Sequence, residues 1–482
     1  MGLAEVKRDS YDVAVIGAGI GGLAAGALLA RKGLSVAVFE AGRVAGGYCT
    51  SFRRKGYTFD SCLDAVSGGA ENGWLRRVLR QLGVDSEVEL VRLDPLRVDN
   101  FAGEMVAVPG DINALLDKLC GIAPSEKDGI RGLFGAMDTV YRIAMVTMPE
   151  VLYNEPRLDR RLGALAKFRK LSFKDLLDDY VKDAKVRAVL CDRSAFMGLP
   201  PSKVSAVAMI TMFMTYAAGG GYRIKDGSEK LAAALVNGLT KAGGELFIKS
   251  PVTEILKSGG RASGVVVDGQ HVAARAIVSA IDASRTAGLA GIAPGTAGMK
   301  PSVSFFMVYL GLDKVLDMPD GMGCYPGYDI EGTFTDIADD IVSPKASMEI
   351  VNYSNISPSM APDGGSTVML ISKAAYHYHS DWKSCKEREM DRLIDFADST
   401  VPGIKGCVSY AEAATPLTLE RYTDNCCGAA FGWEQGTANR RTPAVTQLPG
   451  LYMAGHWTYP GGGIESVAAS GIVAAEKVSA GL

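Results

Sequence analysis

The sequence at residues 11–40, YDVAVIGAGIGGLAAGALLARKGLSVAVFE, decides the fold. Its short apolar run at 13–16 is typical of a buried parallel strand, and the run at 23–31 is typical of a helix that stops at a glycine. A second apolar strand at 35–39 ends on Glu40. The motif G-x-G-x-x-G stands between the first strand and the helix. This order and spacing predict a strand–helix–strand unit that binds a dinucleotide.

Each glycine of this motif has its own physical reason. Gly17 permits the tight turn off the strand, Gly19 lets a pyrophosphate approach the backbone, and Gly22 lets the helix pack close to the strand. The free N–H groups and the dipole at the helix start attract phosphates. Glu40 can accept hydrogen bonds from two ribose hydroxyls and would repel a 2′-phosphate, which favours adenosine over NADP. The alternative interpretation is a plain turn without a ligand.

The composition is that of a globular protein. The 482 residues predict two to four domains, and a net charge of −3 without a basic stripe predicts no nucleic-acid partner. Nine cysteines at irregular spacing predict reduced thiols in a cytoplasmic protein, with no metal site. We expect no secretory signal before the first strand and no transmembrane helix, since no apolar run reaches about twenty residues.

A second glycine turn, Gly46-Gly47, follows Glu40 within the segment AGRVAGGYCTSFRRKGYTFD at 41–60. An NAD enzyme does not need this turn. A flavin enzyme does, because the chain has to pass close to the isoalloxazine ring and its ribityl tail. Arg43, between the acid and the turn, is a candidate phosphate partner, with a solvated surface arginine as the equal alternative.

The second strong signal is LPGLYMAGHWTYPGGGIESVAASGIVAAEKV at 448–478. A strand at 451–454 runs into Gly455, and a proline-glycine turn at 460–463 opens a helix over 464–479. The N–H groups at this helix start can face the pyrimidine edge of a flavin, where reduction places negative charge.

These blocks resemble the amine-oxidase-like flavoproteins, and within them the phytoene desaturase, carotenoid isomerase and retinol saturase family. The resemblance covers nearly the whole chain. It implies an α/β fold with a Rossmann-type FAD-binding domain built from discontinuous segments, plus a mixed α+β substrate domain with a helical insertion. Two departures occur: residues 61–64 (SCLD) replace a small residue and glycine, and His456 replaces the aspartate of many flavoproteins. The first departure indicates a substrate other than a typical carotene.

The resemblance also implies domain boundaries. The FAD-binding domain is expected in three parts, the substrate domain in two, of which the first holds the helical insertion. In chain order these are 1–100 (FAD-binding), 101–219 (substrate, helical), 220–300 (FAD-binding), 301–414 (substrate, sheet) and 415–482 (FAD-binding). Within them the sequence pattern predicts a helix start at Ser125 and strands at 271–273, 276–280, 302–312, 347–353 and 366–372.

The motifs and the resemblance together predict the cofactor-binding residues. At 251–252 the backbone is expected to contact adenine. The full set is Gly17, Ala18, Gly19, Gly22, Glu40, Ala41, Arg43, Gly46, Gly47, Tyr48, Val252, Gly455, Gly462, Gly463 and Ile464. No catalytic acid or base is predicted; the candidates by proximity to the glycine turns are Tyr48, Cys49, Asp64, His456 and Trp457.

The resemblance implies non-covalent FAD and an oxidoreductase that acts on carbon–carbon bonds of a lipophilic, isoprenoid- or polyene-like substrate. Desaturation, saturation and cis–trans isomerisation all stay open, as does the oligomeric state. One alternative is a flavin amine oxidase, to whose aromatic cage Tyr452, Trp457 and Tyr459 could contribute. A second alternative is a flavin-binding protein without turnover.

The substrate is expected to enter through the insertion between residues 111 and 221. The apolar run VSAVAMITMFMTYAA at 204–218 and the methionines of 140–148 suit a surface that adapts to a flexible chain, or equally the core of a helical subdomain. Basic residues at 154–174 predict a solvated face or, alternatively, a peripheral contact with the inner face of a membrane. His377 and His379 would share a face of a strand, without a third ligand nearby.

Overall fold

Two seven-stranded sheets organise the computed structural model, which describes residues 8–153, 163, 165–437 and 441–482, and of residues 145–153 only the backbone. The strands are β1 Ser10–Ile16, β2 Val36–Glu40, β3 Ser51–Arg54, β4 Tyr57–Asp60, β5 Leu90–Arg92, β6 Arg97–Phe101, β7 Glu104–Val108, β8 Tyr222–Ile224, β9 Glu245–Ile248, β10 Val252–Ser258, β11 Arg261–Val267, β12 Gln270–Ser279, β13 Ser304–Leu312, β14 Gly321–Tyr325, β15 Met348–Asn352, β16 Ser366–Ala374, β17 Val408–Ala414 and β18 Leu451–Met453.

The helices lie against the first sheet, within the insertion and on the second sheet. They are α1 Ile20–Arg31, α2 Trp74–Leu82, α3 Ile112–Ile122, α4 Lys127–Tyr153, α5 Phe173–Tyr180, α6 Ala184–Cys191, α7 Ala206–Gly219, α8 Glu229–Lys241, α9 Ala283–Ala290, α10 Trp382–Thr400, α11 Pro416–Thr423 and α12 Ile464–Gly481.

The first sheet joins strands from distant parts of the chain. Its order is β10–β11–β12–β1–β2–β9, and β18 also pairs with β12. Strands β9, β2, β1, β12 and β18 run parallel, which confirms the predicted α/β unit. The prediction of separate strands at 271–273 and 276–280 is wrong. They form the single strand β12, because β1 pairs with it continuously from Ala273 to Ser279, while β11 pairs with its first half and β18 with its second half.

The second sheet has the order β17–β13–β16–β15–β14–β6–β7 and is antiparallel except where β14 meets β6. The strands predicted at 302–312, 347–353 and 366–372 are confirmed as β13, β15 and β16. His377 and His379 do not lie on a strand, because β16 ends at Ala374; both side chains are exposed in the bends that follow. The described residues contain no group of three metal-ligating side chains.

The insertion, α3 to α7, packs into a hydrophobic core that it shares with β6, β7 and β14 of the second sheet. Helix α4 begins at Lys127, not at Ser125 as predicted, because a short 3-10 turn, Pro124–Glu126, precedes it. Residues 154–162 and the side chains of Met145 and Met148 lie outside the described part of the chain, so the predictions for them stay predictions. Among the helices that are described, none is both long enough and apolar enough to span a bilayer.

Helix α1 lies very close to its neighbours on two sides. A Cβ built on Gly22 would stand 2.1 Å from the Gly17 carbonyl oxygen, and one on Gly471 of α12 would stand 2.3 Å from the Gly21 carbonyl oxygen. Both distances are far shorter than van der Waals contact, so these positions cannot hold a side chain without moving the backbone. Glycines therefore set the distances from α1 to the turn after β1 and to α12.

We expect Gly22→Ala to lower the stability of the cofactor-free protein by about 1–3 kcal/mol, because its methyl group has no room beside Gly17. Gly19→Ala is the matched control: its φ is −69° and a Cβ there would meet nothing within 4 Å. Thermal denaturation of the two variants measures the difference, and equal melting temperatures would contradict the close contact.

Candidate active site

A continuous cavity of about 1470 Å³ extends from the carboxyl ends of β1 and β2 to the helical insertion. Glu40 lines one end and Met212 of α7 lines the other. Pockets for one drug-sized ligand commonly enclose roughly 300–1,000 Å³, so this cavity can hold more than one molecule. Its position at the carboxyl edge of a parallel sheet is that of a nucleotide site.

Most of the predicted cofactor-binding residues line this cavity. They come from the start, the middle and the end of the chain, and the fold brings them together. They are Gly17, Gly19, Glu40, Ala41, Gly46, Gly47, Tyr48, Val252, Gly455, Gly462, Gly463 and Ile464.

Three predicted residues do not line the cavity. The backbone N–H of Ala18 donates to the Glu40 carboxylate at 2.8 Å, so this residue supports the turn from behind. Gly22 packs against Gly17. The side chain of Arg43 is exposed and away from the cavity wall, so the structure places it where a solvated arginine would stand.

Glu40 holds the glycine turn and also faces the cavity. One carboxylate oxygen accepts from Ala18 N at 2.8 Å, and the other accepts from Gly42 N at 2.6 Å. A carboxylate has about four acceptor positions, so two remain for ribose hydroxyls. The same side chain therefore shapes the turn and offers the acceptors that the sequence predicted.

Two helix starts provide free N–H groups at the cavity wall. Helix α1 begins after Gly19 and helix α12 after Gly463, and neither N-cap carries a side-chain hydrogen bond. Gly17 has a φ of 91° and Gly46 of 127°, conformations that favour glycine. The two helix starts, the carboxylate of Glu40 and the cavity volume fit FAD. The helix starts would hold its phosphates, and Glu40 would hold its ribose.

His456 is fixed by a neighbouring amide. The Nε1–H of Trp457 donates to Asn425 Oδ1 at 2.7 Å, and His456 Nε2 lies 3.1 Å from the same oxygen. Because an indole nitrogen can only donate, the amide oxygen faces both rings. Burial lowers the pKa of His456 to about 4, so the ring is neutral at pH 7 and is not a general acid there.

The other catalytic candidates differ in position. Tyr48 lines the cavity and its hydroxyl donates to the Ala429 carbonyl at 3.0 Å. Cys49 also lines it, but burial raises the pKa of this thiol, so it is not a thiolate nucleophile. Asp64 lines the cavity, whereas Trp457 is buried and packs edge-on against Trp433.

The far end of the cavity is largely apolar. It is lined there by Phe196, Val207, Ala208, Met212, Phe305, Met307 and Ile371. The expectation that the methionines of α7 together face the substrate is wrong: Met209 and Met214 are fully buried in the helical core, and Met212 alone of the three lines the cavity. They differ because α7 turns opposite sides to the core and to the cavity.

Sequence reasoning missed several cavity residues. Asn425, Arg285 and Phe431 belong to no motif, and only the fold brings them to the wall. Glu349 had a weak signal, a single acid within the apolar strand MEIVN of β15.

The fold and the cavity define a dinucleotide-binding enzyme of the α/β class. The chain belongs to the flavin containing amine oxidoreductase family, whose model matches residues 20–479. FAD is therefore its cofactor, and the protein is an FAD-dependent oxidoreductase.

Similar proteins agree with this assignment. Prolycopene isomerase 1 of an Oncidium hybrid cultivar is 26% identical over 99% of this chain and 85% of its own. All-trans-retinol 13,14-reductase of Danio rerio is 24% identical over 94% and 83%, and the neurosporene-forming phytoene desaturase of Rhodobacter capsulatus is 26% identical over 96% and 93%. An oxidoreductase structure from Methanosarcina mazei superposes with a TM-score of 0.66 at 17% identity, covering 95% of this chain and 98% of that one, which confirms the fold.

We expect Glu40→Ala to weaken FAD binding roughly ten- to a hundredfold, as the loss of charge-assisted hydrogen bonds of about 1.5–3 kcal/mol requires. Fluorescence titration of the cofactor-free protein with FAD measures the affinity. Glu254→Ala removes the same charge from an exposed position on β10 and serves as the control. Unchanged affinity in Glu40→Ala would mean that this carboxylate only supports the turn.

Proposed function

We propose that this enzyme acts on carbon–carbon single or double bonds of a lipophilic, isoprenoid- or polyene-like chain, by desaturation, saturation or cis–trans isomerisation. The observation that carries the proposal is the continuity of the cavity, whose dinucleotide end opens directly into an apolar end. The names of the relatives, an isomerase and a desaturase of carotenoids and a reductase of retinol, point the same way.

The chain's own residues supply binding and the exclusion of water. Bound FAD supplies hydride transfer to and from carbon. Met212 and Met307 offer flexible, polarizable walls that adapt to a long chain, and Phe305 and Ile371 keep the adjoining space dry. His456 adds no charge at neutral pH because burial keeps its ring neutral.

An amine oxidase is less well supported. Its aromatic cage would need Trp457 at the cavity, and this side chain packs against Trp433 instead. Tyr459 does line the cavity, but the guanidinium of Arg441 lies 5.8 Å from the centre of its ring.

The proposal also covers the function of each domain and the location of the protein in the cell. We assign 1–100, 220–300 and 415–482 to FAD binding, and 101–219 and 301–414 to the substrate. Leu165 and Arg169, which lie within the basic segment 154–174, line the cavity. A lipophilic substrate can enter there from a membrane surface, which fits a cytoplasmic protein that binds the inner face peripherally.

Anaerobic absorption spectra of the FAD-loaded protein test the reaction class. Its flavin band should bleach, or its reduced form should reoxidise, with polyene or isoprenoid chains and not with primary amines or quinones alone. Bleaching by amines, and not by any lipophilic chain, would reverse the choice between the two functions.

We expect Met212→Glu to lower kcat/KM for a lipophilic substrate at least about tenfold with a normal flavin content, since a carboxylate in an apolar wall is costly to desolvate. Met105→Glu is the matched control, because Met105 is 51% exposed on β7. Equal turnover by the two variants would contradict a substrate path along α7. Met214→Glu should instead impair folding, since Met214 is 1% exposed in the core.

A further inference from the structure

Two carboxyl groups interrupt the apolar end of the cavity. Asp64 follows β4 and Glu349 lies on β15, and both line the cavity. Their side chains are 14% and 12% exposed. A cavity that holds only a hydrocarbon has no use for such groups, because their desolvation is unfavourable.

Buried arginines hold both carboxyl groups from behind. Arg223 donates to Asp64 at 3.2 Å and to the Asn352 carbonyl at 2.8 Å. Arg97 lies 3.5 Å from Glu349, and both guanidinium groups are 3% exposed. The acceptors are therefore fixed in place rather than mobile.

Two glycines of strand β14 leave room for the charged cluster that includes Asp64, Glu349, Arg97 and Arg223. A Cβ on Gly323 would lie 2.5 Å from both Arg97 Nη2 and Asp99 Oδ1, and Gly323 pairs with Glu349 across the sheet. Two residues earlier, on the same face, a Cβ on Gly321 would lie 3.7 Å from Asp64. A larger residue at Gly323 would displace the charged side chains, so the sheet itself is built around them.

A third arginine has unused donors beside the cavity. The guanidinium of Arg193 lies 4.8 Å from the ring centre of Phe196 and 4.4 Å from that of Tyr216, and both rings line the cavity. Arg193 is 2% exposed, and its Nε and Nη1 have no hydrogen-bond partner in the described part of the chain. Arg193 does not itself line the cavity, so it adds positive charge behind these two rings and does not contact a ligand.

The charges of the cluster nearly balance. Four carboxyl groups, of Asp64, Asp99, Asp192 and Glu349, lie among three guanidinium groups, of Arg97, Arg193 and Arg223. Burial raises the pKa of both Glu349 and Asp99, which reduces the negative excess further. Because Arg223 and Arg97 already pair with Asp64 and Glu349, an ammonium group would meet no unpaired negative charge, and a carboxylate would meet two carboxyl groups. A neutral group that donates a hydrogen bond suits the two carboxyl groups best.

We propose that Asp64 and Glu349 form a subsite for an alcohol hydroxyl on an otherwise apolar chain, so that the substrate is an isoprenoid alcohol and not a hydrocarbon. The hydroxyl donates its proton to a carboxyl oxygen. This inference rests on the proposed function and narrows its substrate class. It also gives a role to Asp64, which belongs to the segment 61–64 (SCLD) that departs from the family pattern.

Equilibrium binding tests the subsite without requiring turnover. The FAD-loaded protein is titrated with four C20 isoprenoid chains that differ only at one end: the alcohol, its methyl ether, the hydrocarbon and the primary amine. Tryptophan fluorescence reports binding. The alcohol should bind about tenfold more tightly than each of the other three, as expected for one hydrogen-bonded group.

The variants Asp64→Asn and Glu349→Gln should each reduce the preference for the alcohol over the hydrocarbon to threefold or less. Glu389→Gln is the matched control: this buried carboxyl pairs with Arg388 and Arg392 on α10, away from the cavity. It should retain the full preference. The FAD content and the melting temperature show that each variant is folded, and the ligand series on the unmodified protein needs no variant.

Equal binding of alcohol and hydrocarbon overturns the subsite and leaves the proposed function standing. Tightest binding of the amine overturns the subsite and supports an amine substrate. An unchanged preference in both Asp64→Asn and Glu349→Gln also overturns it. If none of the lipophilic chains binds, the proposed function itself fails.

Discussion

The close approach of α1 to its neighbours is the constraint on which the remaining structure depends. Gly22 lies against the turn after β1, and Gly21 lies against Gly471 of α12. These contacts place two uncapped helix starts at one cavity wall, where phosphate groups meet free N–H groups. Glu40, the Gly46-Gly47 turn and Gly455, which follows β18, line the same cavity.

The buried charged cluster at the apolar end of the cavity lowers the stability of the fold but favours specificity for the ligand. Burying ion pairs usually gains little, because desolvation offsets their attraction. Arg97, with three acids around it, and Arg223, paired with Asp64, are nevertheless almost completely buried. Apolar residues of similar volume would pack there at no greater free-energy cost. A polar feature of the ligand gives such a cluster a purpose that packing does not.

The sequence predicted those parts of the fold in which the backbone is restricted. The glycine turns, the parallel strands around them and the last helix were predicted because only glycine suits their φ values or their close contacts. Helix α7 was predicted as a helix, but its orientation was not. It is apolar on all sides, so periodicity could not separate Met212 at the cavity from Met214 in the core.

Tertiary structure supplied the remaining parts of the site. Asn425 and Glu349 reach the cavity from segments without any motif, and their roles depend on partners far away in the chain. Strand β12 was divided into two in the prediction, because a strand whose two halves have different neighbours shows two patterns of burial. Patterns of local sequence do not contain this information, since they do not specify which segments meet.

The pairing of the first helix with the last has a consequence for biosynthesis. A ribosome adds roughly 5–20 residues per second, so on the order of half a minute separates the emergence of α1 from that of α12. During that interval β1 also waits for β12, and the apolar side of α1 around Leu23 and Leu28 lacks its final cover. The nascent chain therefore cannot close around FAD while it is being made. Cofactor capture follows the emergence of α12, and the cell has to shield an incomplete Rossmann unit until this helix arrives.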